Sequence, residues 1–166
     1  MKLKTIYFVL STLLAFGALT AQQDPNFTFY RYNMNLINPA FAGSNGVTDI
    51  GVGIRSQWAS VEGSPETQTA FFGTPIGKNL GVGISIINDR TFIENQTSVA
   101  LDFSYHLQLN ENTHLFLGIK AGLNSYKVNT DGLITYSIQS DPSLTNISGS
   151  FTPNIGSGAY LKGKSF

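Results

Sequence analysis

The chain has 166 residues, 10 basic and 10 acidic side chains and no cysteine. This excludes a disulfide framework, a thiolate metal centre and a lipid-bearing cysteine, and without a basic stripe it argues against nucleic acid binding. Charged residues make up 12% of the chain, about half the ~25% usual in soluble globular domains, and the length fits one domain.

Residues 1–21 read as a secretory signal peptide. Lys2 and Lys4 form the positive start, residues 6–19 are apolar apart from Ser11, Thr12 and Gly17, and Ala21 is a small residue for cleavage before Gln22. The apolar run is shorter than the ~20 residues a spanning helix needs. No other apolar run has helical spanning length, so a mature chain in a membrane would have to cross it with strands. Residues 22–32 are polar and aromatic and read as an extended segment. Residues 33–46 are rich in turn formers, punctuated by Asn38-Pro39 and Ser44-Asn45-Gly46.

Six strands are expected from residue 47 onward. The first, 47–59, sets Ile50, Val52 and Ile54 against Gly51, Gly53, Arg55 and Gln57. The second, 66–76, sets Thr67, Thr69 and Phe71 against Gln68, Ala70 and Phe72, a poor alternation. The third, 79–89, sets Leu80, Val82, Ile84 and Ile86 against Gly81, Gly83 and Ser85. The fourth, 97–109, is the strongest: Thr97, Val99, Leu101, Phe103, Tyr105, Leu107 and Leu109 alternate without a break against Ser98, Ala100, Asp102, Ser104, His106 and Gln108. Alternate side chains of a strand point to opposite faces, so one face is apolar and the other polar. Thirteen residues exceed the ~9–11 that a tilted strand needs to cross a bilayer. The fifth strand, 113–127, and the sixth, 151–162, repeat the pattern, with Gly118, Lys120, Gly122, Gly156 and Gly158 on the polar side.

Short connections at 77–79 and 110–112 alternate with longer ones at 60–65, 88–96 and 129–148. Membrane barrels show this alternation of short turns and long loops. The expected fold is therefore all-β: an antiparallel transmembrane β-barrel, here an incomplete half-barrel of about six strands, since single-chain barrels begin at about eight. The domain reading is a leader at 1–21, an N-terminal extended segment and turn at 22–46, and the N-terminal part of the barrel at 47–166.

Chemistry-bearing groups are sparse. Asp102, Ser104 and His106 share a face at two-residue spacing, but a catalytic triad needs hydrogen-bond reach and an oxyanion hole. His106 and His114 flank one turn without a third metal ligand. The glycine pairs lack the strand–loop–helix setting of a phosphate loop, and they mark bending or close backbone approach instead. No catalytic residue, cofactor or metal is assigned, and the chain is read as not an enzyme. Arg55, Asp102, His106 and Lys120 are expected to line a lumen, and Trp58 to anchor at the membrane interface.

Several short blocks carry a resemblance. Gln23-Asp24-Pro25 is followed by Asn38-Pro39-Ala40-Phe41-Ala42-Gly43, then Arg55-x-Gln57-Trp58, Gly63-x-Pro65-x-Thr67-Gln68-Thr69, Gly81-x-Gly83-x-Ser85 with Asn88-Asp89, Lys120-Ala121-Gly122-Leu123, and Pro153-Asn154-x-Gly156-x-Gly158-x-Tyr160. In order and spacing over residues 22–162 these resemble the PorP/SprF family of Bacteroidetes outer-membrane proteins linked to type IX secretion. The resemblance implies an outer-membrane barrel that continues past Phe166. It also implies a role in type IX secretion, or in surface retention of secreted adhesins tied to gliding motility, as an anchor and docking platform. The implied partners are outer-membrane lipid and other type IX components or adhesins. The composition leaves two further functions open: a passive or selective pore, and a soluble secreted barrel that binds a small apolar ligand with its apolar face turned inward.

Overall fold

The computed structural model describes residues 30–58, 60–130, 133 and 146–163. The leader, Asp24 and Pro25 lie outside them. Six strands, β1 (Asp49–Ser56), β2 (Glu66–Ile76), β3 (Leu80–Thr91), β4 (Glu94–Asn110), β5 (Thr113–Val128) and β6 (Phe151–Gly163), form one antiparallel meander in sequence order. The sheet is open, with β1 and β6 at its edges. Among the described residues no helix is long and apolar enough to cross a membrane.

The register turns single-strand alternation into rows. Val52, Ala70, Ile86, Val99, Leu123 and Pro153 stand side by side, and so do Ile50, Phe72, Ile84, Leu101, Ala121 and Ile155. These rows belong to a bare face. On the edge strands Val52 is 80% and Ile155 85% exposed, against 40% for Ile84 in the interior. The edge side chains thus lack the lateral neighbours that interior strands provide.

The other face is covered. Tyr30–Tyr32 and Pro39–Phe41 are single 3-10 turns, and Met34–Ile37 is a four-residue helix, α1. The helix, the second 3-10 turn and residues 42–44 make a strap that packs on β2 through β6 and buries Asn35, Leu36, Pro39, Ala40, Ala42 and Ser44, while Tyr30–Tyr32 is exposed. The turn formers of 33–46 are therefore used to build compact helical turns. Asn38 caps the second 3-10 turn, accepting from the Ala40 N–H at 3.0 Å, with Pro39 at the first helical position.

Three expectations need correction. Tyr30–Tyr32 is a helical turn and not extended. The first strand stops at Ser56, because Trp58 and Ser60 take left-handed φ of 52° and 84° and the Gln57 N–H turns to the Pro65 carbonyl. The loop expected at 88–96 is a two-residue turn, Phe92-Ile93, with Thr91 opposite Glu94. Tight hairpins favour a positive φ at a central residue, and Phe92 supplies it at 52°. The flanking polar side chains bond across the ladder: Asn88 Nδ2 donates to Asn95 Oδ1 and to Thr97 Oγ1, each at 2.8 Å. These strands keep β structure after their apolar alternation ends, which is why hydropathy reads as a loop. The long connections at this end are those between β1 and β2 and between β5 and β6. The poor alternation of β2 is geometrically regular, because Phe71 points to the covered face and fills the space above Gly51.

Candidate functional site

Two surfaces carry the chemistry of this molecule: the strap on its seat, and the bare apolar band. The seat follows the register. Pro75, Gly81, Ser104, Gly118 and Gly158 form one row, and Gly73, Gly83, Asp102, Lys120 and Gly156 the next. A Cβ at Gly118 would fall on the Pro39–Ala40 backbone, one at Gly81 on the Ala42 carbonyl, and one at Gly158 on the Asn38 side chain. The close backbone approach expected of these glycines is made by the strap.

Polar bonds fasten the strap at four carbonyls. Asn38 Nδ2 donates to the Ala159 carbonyl at 3.0 Å. Ser104 Oγ donates to the Ala42 carbonyl at 2.6 Å. Lys120 Nζ donates to the Leu36 carbonyl at 2.7 Å, and Lys162 Nζ to the Ser44 carbonyl at 3.1 Å. Phe41 adds a tilted ring contact with Tyr160 at 5.2 Å. An unpaired carbonyl in such a setting costs about 1–3 kcal/mol, so these donors explain why a segment with little regular structure holds one place.

Of the residues expected to line a lumen, Asp102 and Lys120 come together directly across the β4–β5 pair, with Nζ 3.5 Å from Oδ1. His106 turns instead to His114, their ring nitrogens 2.8 Å apart, and stacks on Phe116 at 4.6 Å. Arg55 lies near the far end of β1, level with Thr67 and Asp89. Asp102, Ser104 and His106 thus have three separate partners: Lys120, the strap and His114. Among the described residues no group of three His, Cys, Asp or Glu side chains is gathered.

The motif residues fall into three places. Asn38, Pro39, Ala40 and Gly43 form the strap, and Gly43 lies against Thr74–Pro75 at φ 69°. Thr67 donates to the Asp89 carboxylate, joining two blocks across β2 and β3. Thr69 shares the covered face with Thr67, Gln68 lies on the bare face beside Asn88, and Gln57 and Trp58 lead out of β1. Lys162, Ser44 and Asn35 were not singled out by sequence reading. The small side chains of the strap, opposite two glycine rows, are the signal that would have pointed to them.

The bare band has a measurable height. On β4 it runs from Val99 to Leu109. Ten residues at about 3.4 Å each, at a tilt of roughly 40°, give a band about 26 Å tall. The apolar belt of membrane barrels is about 25 Å. Beyond it stand two rows that are polar on β2, β3 and β4, Gln68–Asn88–Thr97 and Glu66–Arg90–Asn95, while on β1 the exposed Ile54 stands level with Gln68.

A family model described as type IX secretion system membrane protein PorP/SprF matches residues 19–166. No curated protein and no solved structure matches the chain significantly.

Proposed function

The chain belongs to the PorP/SprF family of type IX secretion system membrane proteins, and on that premise we propose that it is an outer-membrane β-barrel component of that system. It is exported by a cleavable leader, inserts with its bare face toward lipid, and acts as an anchor and docking platform rather than a catalyst. The observation that carries this reading is the register-aligned apolar band opposite a polar, strap-covered face. A soluble barrel with an apolar interior needs the reverse arrangement. A permanently open pore is disfavoured, because the strap occupies the polar face and Lys120 is committed to Leu36 and Asp102.

The two roles that the resemblance implies, secretion and retention of adhesins, predict different cargo positions. Gene deletion in the source bacterium tests them. Cargo trapped in the periplasm supports secretion, and cargo shed into the medium supports retention. Unchanged cargo, or a protein found outside the outer-membrane fraction, would overturn the proposal.

A further inference from the structure

The two ends of the strap are fastened by different groups. At Leu36 the fastener is Lys120. At Ser44 it is Lys162, helped by a run of rings. Phe41 lies against Tyr160 at 5.2 Å, Tyr160 against Phe116 at 5.9 Å, and Phe116 against His106 at 4.6 Å, within 11° of parallel. Both fastenings of the Ser44 end lead to one pair. His106 terminates the run of rings, and its partner His114 stands directly opposite Lys162 across the β5–β6 ladder.

The gap within the pair holds one proton. Nε2 of His106 and Nδ1 of His114 are 2.8 Å apart. One of these nitrogens must donate and the other accept. Two neutral rings can do this, and so can one imidazole with one imidazolium. Two imidazolium rings cannot, because every ring nitrogen is then a donor. The bond breaks, and two cations stand side by side with the Lys162 ammonium in the same row as His114. The surroundings supply little to offset them. Asp102 is four residues from His106, about 14 Å along β4, and is committed to Lys120. Glu111 lies in the exposed turn between the two strands, Gln108 and Tyr160 beside the pair are uncharged, and residues 33–46 carry no charged side chain. A cavity of about 260 Å³ separates His106 and Phe116 from Gly43, Ser44 and the 77–79 turn, and its charged wall is another cation, Lys78.

We propose that the His106–His114 pair is a pH-sensitive latch on the Ser44 end of the strap, closed while one ring is neutral and released when both are cationic. The closed arrangement binds fewer protons than the open one, so it loses ground as pH falls. On release the His106 ring swings into the cavity, the run of rings loses its first member, and the added charge drives Lys162 from the Ser44 carbonyl. Lys120 and Asp102, two rows deeper, keep the Leu36 end in place.

Amide hydrogen exchange of the full chain in lipid vesicles tests this, with each rate taken relative to the unstructured chain at the same pH. The Ser44 N–H bonds the Phe41 carbonyl and the Leu36 N–H the Asn33 carbonyl, both at 3.0 Å. Between about pH 8 and pH 5, where imidazole takes up its proton, protection at Ser44 should fall at least tenfold and recover on return. Protection at Leu36 should stay within about twofold. Nitrogen NMR of labelled histidine should show both facing nitrogens protonated only at the acid end. In His114→Gln the side-chain amide can donate to or accept from His106 in either of its charge states, so Ser44 should stay protected throughout. Constant protection at Ser44 in the parent overturns the proposal. So does an equal fall at Leu36, which is general acid unfolding, or an equal fall in His114→Gln. Should that variant not fold, the Ser44-against-Leu36 comparison and the ring nitrogens of the parent decide.

Discussion

Lys120 stands 3.5 Å from the buried Asp102 carboxylate and at the same time donates to the Leu36 carbonyl at 2.7 Å. One ammonium thus ties the strap to the sheet and neutralises a charge beneath it. Removing a single partner of a buried pair leaves the other charge uncompensated. Lys120→Met should destabilise the fold by about 3 kcal/mol, the lower end of the range for such losses because Lys120 retains some exposure. Asp102→Asn together with Lys120→Met should recover part of that loss. Urea unfolding in lipid vesicles reads both variants, and equal stability of Lys120→Met and the parent would refute the fastening role.

Gly118→Val places side-chain atoms where the Pro39–Ala40 backbone lies. The strap should lift while the strands keep their register, and hydrogen exchange at Ala40 should accelerate strongly. Gly156→Ala is the control, since its added Cβ meets only Lys120 Cβ at an ordinary 3.6 Å. If the two variants exchange alike, the glycine rows are not a seat.

The bare band predicts a depth-dependent cost for charge. Phe103→Arg, near the middle of the band, should destabilise the inserted protein by about 2–4 kcal/mol, while Asn95→Arg, beyond its edge, should cost about 0–1 kcal/mol. Unfolding titrations in vesicles measure the difference. Equal costs would mean that the face does not meet hydrocarbon.

Thr67→Val removes the donor to Asp89 without changing shape. A hydrogen bond to a charged group is worth about 1.5–3 kcal/mol, so the β2–β3 pair should lose roughly that much, with faster amide exchange at Asn88 and Asp89. Unchanged exchange there would show that the two motif blocks are not coupled through this bond.

The sheet was legible in the sequence because its two faces meet different surroundings. Leu101, Phe103 and Tyr105 alternate with Asp102, Ser104 and His106, and the period of two holds along β4 up to the irregularity between Gln108 and Asn110. Where the apolar alternation stops the signal fades, so residues 88–96 read as a loop although the Asn88 side chain bonds across the ladder to Asn95 and Thr97. Phe71 hid a regular strand by filling space that glycine leaves open. The strap was illegible for a related reason: a segment fastened by three of its own carbonyls, to Lys120, Ser104 and Lys162, and by its Asn38 side chain, which donates to the Ala159 carbonyl, shows no hydrophobic period. Its partners lie 62 to 121 residues away in sequence, and only the register brings their glycines into rows.

The central claim is the orientation of the two faces, and a single-cysteine scan of β4 from Val99 to Leu107 in vesicles tests it most directly. Spin labels at 99, 101, 103, 105 and 107 should collide with oxygen dissolved in the lipid, while labels at 100, 102, 104 and 106 are shielded beneath the strap or meet only aqueous quencher. Inverted phase, or nine positions equally open to water, would contradict it.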